Sequence, residues 1–197
     1  MQTVIYASRN QGKLKEVLTY AQLGEVDLAL ALSPVKLSVA ETGSSYQGNA
    51  GLKARAYAET LRQPVVADDG GLELAAFPEI LGLETARFFP AGMTDLAMNQ
   101  RLLDLYQEAG VLDRRCRLVT CLAYFDPARQ KAPTFFQAEQ EFLISDEPQG
   151  HQGFGFDPIL YIESLDRTCG QLDDRQRSRY SPRIQAFNQW LAWFQAD

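Results

Sequence analysis

The sequence predicts a mixed α/β fold, and its periodicity, composition and length carry that prediction. Short apolar runs with β-branched residues alternate with segments of helical periodicity along the chain. A hydrophobic fraction of 46% and a charged fraction of 22% are ordinary for a globular protein. No repeat, low-complexity tract or linker interrupts the 197 residues, so we expect a single domain over residues 1–197.

The N-terminal part predicts strands and helices in alternation. Turn and cap residues at 41–45 precede the second helix, and Pro64 ends it. The apolar run after Pro64 predicts a short strand that stops at the turn-like residues 68–71. The predicted elements are a strand at Thr3–Ala7, a helix from about Gln11 to Ala21, a strand at Glu25–Leu32, a helix from Tyr46 to about Leu61 and a strand at Val65–Ala67.

The C-terminal part predicts two long strands framed by helices. Thr94 is a suitable cap for a helix, and residues 126–130 resemble a hairpin connection. The apolar face of the last helix is typical of core packing rather than of a ligand cage. The predicted elements are a helix at Asp95–Glu108, strands at Arg115–Phe125, Pro133–Ile144 and Pro158–Ile162, and a C-terminal helix with Phe187, Trp190, Leu191 and Phe194 on one face.

Composition limits the classes of function. A net charge of −6 argues against a general nucleic-acid or membrane-surface binder, although a local basic pocket for a small anion remains possible. Cys116 and Cys121 lie in an apolar strand pattern without metal-ligand spacing, which favours buried thiols. His151 is the single histidine, which argues against a Ser-His-Asp triad or a multi-histidine zinc site. With no signal peptide and no apolar run long enough to span a bilayer, we expect a cytoplasmic protein.

A candidate anion site lies where the first strand turns into the first helix. Free N–H groups and the helix dipole at such a junction favour negative charge, and a lysine there adds a point charge for phosphate oxygens. The spacing is not that of a P-loop, and a capped surface helix is the alternative interpretation. The site comprises Ser8, Arg9, Asn10, Gln11, Gly12 and Lys13.

Carboxylates form a second candidate site. Asp68 and Asp69 follow a predicted strand, Glu41 precedes a helix, and Lys53 lies two to three turns along that helix. Carboxylates without histidine suit Mg²⁺, which takes one or two of them together with substrate phosphates. One aspartate could instead deprotonate a water molecule, and a solvated turn is the alternative without function.

Two further clusters suggest nucleotide chemistry. Glycines beside the aromatic rings in Gly153-Phe154-Gly155-Phe156-Asp157-Pro158 allow a ring to stack on a base, and Asp157 could accept a hydrogen bond from base or sugar. The arginine-rich stretch 175–183 could clamp a polyphosphate. A buried phenylalanine in a glycine turn and an exposed charged helix face are the respective alternatives.

Five motifs follow one another along the chain. They are Ser8-x-Asn10-x-x-Lys13, Glu41-Thr42-Gly43-x-x-Tyr46-x-x-Asn49-Ala50-x-x-Lys53-Ala54, Ala67-Asp68-Asp69-x-Gly71-Leu72, Ala86-Arg87 and Phe154-Gly155-Phe156-Asp157-Pro158. In this order they resemble the inosine/xanthosine triphosphate pyrophosphatase family from residue 3 to about residue 187. The resemblance implies a long central mixed sheet flanked by helices, two lobes with an active-site cleft between them, and a homodimer.

The resemblance also implies a Mg²⁺-dependent reaction in which water attacks the α-phosphorus of a nonstandard purine nucleoside triphosphate. Pyrophosphate leaves, and the monophosphate remains. By resemblance, Ser8, Asn10, Lys13 and Lys53 hold phosphates, and Glu41, Asp68 and Asp69 hold Mg²⁺, with Asp69 also matching the general base. Phe154 stacks on the base, and Gly155, Phe156 and Asp157 complete that site.

The sequence departs from the family pattern near its C-terminus. Pro182 replaces a histidine that, with the neighbouring arginine, reads the 6-oxo group of the base in the family. Arg183 is kept, Arg177 stands for a lysine, and Gly70 stands for a serine beside the predicted metal. The fold is expected to survive, because proline suits a first helical turn. Base selection is expected to shift or relax, and a nucleotide-binding protein with little catalysis is the alternative from another class.

Overall fold

The computed structural model describes residues 3–23 and 29–196. Its seven strands form one mixed sheet in the order β2-β1-β3-β4-β5-β6-β7, which confirms the predicted α/β class. The strands are β1 (Thr3–Ala7), β2 (Ala29–Leu32), β3 (Val65–Leu74), β4 (Arg115–Phe125), β5 (Thr134–Ile144), β6 (Leu160–Ile162) and β7 (Arg167–Thr168). The helices are α1 (Gln11–Leu23), α2 (Tyr46–Leu61), α3 (Thr85–Phe88), α4 (Asp95–Ala109), α5 (Asp174–Arg177) and α6 (Pro182–Ala196).

The main difference from the sequence prediction is the length of β3. The strand was expected to stop before Asp68, but it continues to Leu74, so Asp68 and Asp69 belong to a strand and not to a turn. These two residues are only 2% and 7% exposed. The strand continues because basic side chains neutralise both carboxylates, which removes the main cost of burying them.

The other boundaries agree with the prediction to within a few residues. Of the strand predicted at residues 25–32, the structure has Ala29–Leu32, and residues 25–28 lie outside the described part of the chain. The strand predicted from Pro158 begins at Leu160, because Asp157–Ile159 form a 3-10 turn.

The described residues group into two compact units, each made of several chain segments. Unit 1 comprises Met1–Gly70, Thr120–Ala138 and Pro182–Asp197. Unit 2 comprises Gly71–Val119 and Glu139–Ser181. The prediction of a single domain over residues 1–197 remains a prediction.

Unit 1 is built around β1, which lies between β2 and β3 and is parallel to both. Its register pairs Tyr6 with Val66 and Ala7 with Ala67, so Ser8 and Asp68 come next on neighbouring strands. One apolar cluster packs these strands against α1 and α6, and another packs them against α2. Among the predicted aromatic residues of α6, Phe187 and Trp190 are completely buried.

Unit 2 has a core of its own around α4. The buried face of α4 carries Leu102, Leu103 and Tyr106, which pack in one cluster with Ile159 and Leu172. Thr94 caps the helix as predicted, since its hydroxyl accepts a hydrogen bond from the Ala97 N–H at 3.3 Å.

Two remaining predictions concern cysteines and membranes. Cys116 and Cys121 are buried as predicted, and burial raises the pKa of each thiol to about 12. Within residues 3–23 and 29–196, no helix is long and apolar enough to cross a membrane.

Candidate active site

The predicted functional residues fall into two groups, one in each unit. The group in unit 1, here called the carboxylate cluster, lies around the middle of β3 and the starts of α1 and α6. It consists of Lys13, Glu16, Glu41, Asn49, Lys53, Asp68, Asp69 and Arg183. The group in unit 2, here called the aromatic loop, consists of residues 153–157.

The segment from Ser8 to Lys13 comprises the turn between β1 and α1 and the first residues of α1. The Ser8 hydroxyl accepts a hydrogen bond from the Asn10 N–H at 3.2 Å, and the Asn10 carboxamide oxygen accepts one from the Lys13 N–H at 3.2 Å. These bonds cap the helix and direct the Lys13 ammonium toward Asp68. Arg9, Asn10 and Gln11 are exposed, and Ser8 and Gly12 are partly exposed. The segment therefore has the features of both interpretations of its sequence, a helix cap and a positively charged junction.

Asp68 is the most deeply buried acid of the carboxylate cluster. Its side chain is 0% exposed. One oxygen accepts a hydrogen bond from the Tyr6 hydroxyl at 3.0 Å, while the other lies 2.8 Å from Lys13 Nζ and 3.2 Å from Arg183 Nε. Burial raises the pKa of Asp68, but the attraction of Lys13, Arg183 and Lys53 outweighs it and holds the pKa well below its usual range. Asp68 is therefore a charged carboxylate that orients two cations.

Asp69 and Glu41 share one cation. Lys53 Nζ lies 2.9 Å from an oxygen of each carboxylate. Burial lowers the pKa of Lys53, but Asp68, Asp69 and Glu41 raise it by a larger amount. The pKa is therefore above its usual value, and the ammonium stays charged. The second oxygen of Asp69 accepts a hydrogen bond from the Asn49 carboxamide at 3.2 Å.

Lys13 has a different electrostatic balance from Lys53. Its side chain is 17% exposed, and burial lowers its pKa more than Asp68 raises it, with Arg183 and Lys53 lowering it further. Lys13 is therefore crowded by other cations and gains from an additional anion nearby.

Arg183 belongs to the carboxylate cluster as well. Its guanidinium pairs with Asp68 and with Glu16 of α1, and the two side chains of the latter pair are 12% and 14% exposed. The resemblance assigned Arg183 to the base, and the sequence reasoning missed Glu16 and Tyr6. The position of Glu16, one helical turn after Lys13, was the available signal, because residues three apart share a helix face.

The aromatic loop is shaped by glycines and by Asp157. Gly153 and Gly155 have φ values of 78° and 62°, a region that suits glycine. One Asp157 oxygen accepts a hydrogen bond from the Phe154 N–H at 2.9 Å and lies 3.6 Å from Arg177 Nε. A Cβ on Gly153 would lie 1.8 Å from that oxygen, so the loop needs glycine there for space as well as for conformation.

Arg177 and Phe156 tie the loop to the rest of unit 2. Arg177 is 12% exposed at its side chain and also pairs with Asp174. The Phe156 ring packs against Phe89 with centroids 6.1 Å apart. The exposed His151, two residues before the loop, lies on the surface as expected.

Comparison with known proteins decides the family. A model of the Ham1 family matches residues 4–193. The dITP/XTP pyrophosphatase of Dictyoglomus thermophilum is 34% identical over 94% of this chain and 90% of its own. The chain belongs to the Ham1 family. The resemblance inferred from its motifs is confirmed.

Solved structures of Ham1 proteins have the same fold. A HAM1 protein from Coxiella burnetii superposes with a TM-score of 0.85 and is 29% identical over the full length of both chains. The Ham1 protein of Staphylococcus aureus gives a TM-score of 0.82 at 32% identity and covers 99% of both chains.

This Ham1-family chain keeps the predicted carboxylates together with cations. Glu41 and Asp69 converge on Lys53, and Asp68 accepts from Lys13 and Arg183. Within residues 3–23 and 29–196, however, no three His, Cys, Asp or Glu side chains are arranged as a preformed metal site. Mg²⁺ is a hard cation that prefers oxygen ligands. The carboxylate oxygens of the cluster, which already face cations, therefore match Mg²⁺ in donor chemistry.

Two departures from the family pattern now have a structural setting. Pro182 is buried at the first position of α6, so it starts the helix and presents no side-chain donor. Gly70 follows Asp69 in β3 and is partly exposed, and its position adds no hydroxyl to the carboxylate cluster.

Proposed function

We propose that this chain hydrolyses nucleoside triphosphates to the monophosphate and pyrophosphate, with dITP and XTP among its substrates. The carboxylate cluster is the observation that carries the proposal. It gathers two lysines, an aspartate that is hydrogen-bonded to a carboxamide and two further carboxylates within one unit. Such groups supply most of what phosphoryl-type transfer requires, namely position and charge stabilisation. The names of the relatives support the choice of substrates.

In this proposal, Asp69 is the general base. It takes a proton from a water molecule whose oxygen attacks the α-phosphorus, and the bond from that phosphorus to the bridging oxygen of pyrophosphate breaks. Asn49 and Lys53 hold the two Asp69 oxygens at 3.2 and 2.9 Å, which fixes the orientation of the carboxylate that accepts the proton.

The cations of the cluster hold the triphosphate. Lys13 and Lys53 neutralise charge on the phosphates, and the turn at Ser8, Arg9, Asn10, Gln11 and Gly12 offers N–H groups and polar side chains to them. The lowered pKa of Lys13 supports this role. Burial and repulsion from Arg183 and Lys53 lower that pKa, and an anion beside Lys13 relieves the repulsion.

Glu41, Asp68 and Asp69 are the proposed Mg²⁺ ligands. Because they are not a preformed cage, the ion is expected to bind with the triphosphate, as Mg²⁺ commonly does through a few carboxylates and substrate phosphates. Bound there, Mg²⁺ would supply positive charge to the phosphate oxygens.

The aromatic loop and its neighbours are the proposed base site. Phe154 stacks on the base, Gly155 and Phe156 shape the loop, and Asp157 and Arg177 supply polar groups. Asp157 acts partly through the loop itself, because it accepts from the Phe154 N–H.

Turnover of a nucleotide panel tests the function. The protein is incubated with Mg²⁺ and dITP, XTP, dGTP, dATP or dUTP, and pyrophosphate is quantified. Release is expected from dITP and XTP. Calorimetric binding without release from any nucleotide would support the alternative of a binding protein with little catalysis.

Relaxed base selection is the second candidate, and Pro182 and Arg183 favour it. Pro182 offers no donor, and the Arg183 guanidinium is engaged by Glu16 and Asp68. Pro182→His is expected to raise the ratio of kcat/KM for dITP over dATP by about tenfold, because a site with a donor discriminates more strongly. Pro182→Ala, which adds no donor, is the control. An unchanged ratio in Pro182→His would show that residue 182 does not read the base.

Assembly and location follow the family resemblance and the composition. We propose a homodimer that acts in the cytoplasm without nucleic acid or membrane partners. Light scattering should give twice the 22.1 kDa of one chain. A monomer mass at all concentrations would contradict the dimer.

A further inference from the structure

The backbone of the aromatic loop is held by side chains at three polar groups of Phe154 and Gly155. Asp157 accepts from the Phe154 N–H, as described above. The next N–H, that of Gly155, donates to Asp95 Oδ2 at 2.6 Å. The Gly155 carbonyl then accepts from the Asn99 carboxamide at 3.1 Å. The loop conformation is therefore determined by specific bonds as well as by its glycines.

Two of these three bonds come from one face of α4. Asp95 and Asn99 are four residues apart, so they lie above one another on the helix. Together they bind both backbone polar groups of Gly155, whose φ of 62° lies in the left-handed region. Nothing lies within 4 Å of a Cβ built on Gly155, so close packing does not fix this residue. The polar clamp from α4 does.

The Asn99 side chain contributes little else to the stability of the fold. It is 1% exposed, and its carboxamide oxygen has no hydrogen-bond partner among the described residues. Burying an unsatisfied polar atom is unfavourable, so a buried leucine or methionine at this position would stabilise the folded protein more. The bond to Gly155 is what the Asn99 side chain contributes.

We propose that Asp95 and Asn99 are positioning residues for base binding. They hold Gly155, and through it the neighbouring Phe154, in the conformation that accepts the base. Without them the loop must be ordered when the nucleotide binds, and ordering weakens affinity. The inference rests on the proposed function, in which Phe154 stacks on the base. The phosphates are held by unit 1, so the affinity for phosphates alone is independent of this clamp.

Binding measurements on an exposed member of the clamp test the proposal. Asp95 is exposed, so Asp95→Ala is expected to fold. All proteins carry Asp69→Asn to stop turnover, and calorimetry gives the dissociation constants of dITP and of inorganic triphosphate with Mg²⁺. Asp95→Ala is expected to raise the dissociation constant of dITP by about tenfold, within the range of one base–aromatic stack. The dissociation constant of inorganic triphosphate should change by no more than about twofold.

Matched variants separate the clamp from the helix end that carries it. Thr94→Ala removes the cap of the same helix but none of the three side-chain bonds to the loop. It should leave both dissociation constants unchanged. Asp95→Asn keeps an oxygen that can accept from Gly155 and should recover most of the dITP affinity. Asn99→Ala should repeat the effect of Asp95→Ala, with thermal unfolding as the check that it folds.

A double-mutant cycle identifies the route of the effect. If the clamp acts by positioning Phe154, Asp95→Ala should weaken dITP binding much less in a protein that also carries Phe154→Ala. Equal weakening in both backgrounds, equal loss of dITP and triphosphate affinity, or no loss in Asp95→Ala would each overturn the proposal. Failure of stacking itself is read separately, because Phe154→Ala alone would then bind dITP as tightly as the parent.

Discussion

Asp69 is the residue on which the proposed chemistry depends most directly. Asparagine has the same shape and still accepts from Lys53, but it cannot take a proton at neutral pH. Asp69→Asn should therefore lower kcat by about 10²- to 10⁴-fold, the usual contribution of a general base, with KM changed by a few-fold at most. Steady-state kinetics with dITP and a thermal unfolding curve measure both effects.

Glu59 provides the matched control for Asp69. Its side chain is 57% exposed on α2, where it pairs with Arg55. Glu59→Gln removes one carboxylate charge from the same unit and should leave kcat unchanged. Comparable activity of Asp69→Asn and Glu59→Gln would remove Asp69 from the role of base.

Asp68 links the cluster to stability and pH. Removing its charge leaves the buried Lys13 without its partner carboxylate and Arg183 with Glu16 alone, so Asp68→Asn should cost about 3–5 kcal/mol at neutral pH. The pKa of Asp68 is lower in the folded than in the unfolded protein, so its contribution is present above pH ~4 and is lost as the pH falls further.

Urea unfolding of the metal-free protein at several pH values measures this contribution. The stability gap between wild type and Asp68→Asn should be largest at pH 7 and smaller by roughly 1 kcal/mol at pH 3. A gap that is equal at the two pH values would contradict the assignment.

The sequence predicted which residues gather in the carboxylate cluster better than it predicted their partners. Lys13, Glu41, Lys53, Asp68 and Asp69 were all named, because motif order and the ends of strands bring such residues together. Arg183 was assigned to the base instead, because a contact between residues 115 positions apart cannot be inferred from local pattern. The partner Tyr6, 62 positions from Asp68, was missed for the same reason, whereas the position of Glu16 one helical turn after Lys13 was a local signal that was overlooked.

At the scale of elements, α2 supports Asp69, the proposed general base. Asn49 and Lys53 are four residues apart on this helix, so one face presents both to Asp69. The Asn49 carboxamide oxygen accepts a hydrogen bond from the Gly43 N–H at 2.8 Å, which orients the amide that reaches Asp69. The segment before the helix therefore fixes a residue on it.

Gly43→Ala should reduce activity through this contact. A Cβ at position 43 would lie 2.7 Å from the Asn49 carboxamide oxygen and 2.9 Å from its backbone nitrogen, so Asn49 has to move. Misplacement of a supporting group by about 1 Å can cost up to about 100-fold in rate, and we expect kcat to fall by at least about tenfold.

Ser45→Ala is the control for Gly43→Ala. The Ser45 hydroxyl caps α2 by accepting from the Gly48 N–H at 3.0 Å, and the bond from the Asn49 N–H to Ser45, at 3.1 Å, goes to the backbone carbonyl that alanine keeps. Its loss should lower stability by about 1 kcal/mol and leave kcat nearly unchanged. A fall in kcat as large as that of Gly43→Ala would mean that any weakening of α2 reduces activity.

The elements themselves were largely predictable, and β3 shows where prediction ended. Caps, proline and periodicity located α2 and α4 to within a residue. Residues 68–71 have turn composition, so the continuation of β3 through them could not be predicted. It depends on Lys13, Lys53 and Arg183, which neutralise the acidic residues from other elements.

For the whole molecule, the distribution of charge matters more than its sum. The net charge of −6 argues against a general nucleic-acid or membrane-surface binder, yet the carboxylate cluster contains Lys13, Lys53 and Arg183. These cations pair with the acids of the cluster, so side chains of the protein itself balance the buried charge. The division into two units, by contrast, has no compositional boundary in the sequence and was not predicted from residues alone.

Metal removal should therefore stop catalysis without unfolding the protein. With EDTA, turnover of dITP should vanish and should return when excess Mg²⁺ is added. The melting temperature should change by no more than about 2 °C, unlike that of proteins whose folding depends on a structural metal. A large loss of melting temperature in EDTA would show that the ion holds the fold.

The position of bond cleavage tests the central claim most directly. The wild-type protein is given dITP and Mg²⁺ in water enriched in ¹⁸O, and the products are separated and weighed by mass spectrometry. Attack of water on the α-phosphorus predicts equal amounts of dIMP and pyrophosphate, with the label in dIMP alone. Orthophosphate with dIDP, or label in pyrophosphate, would contradict the account.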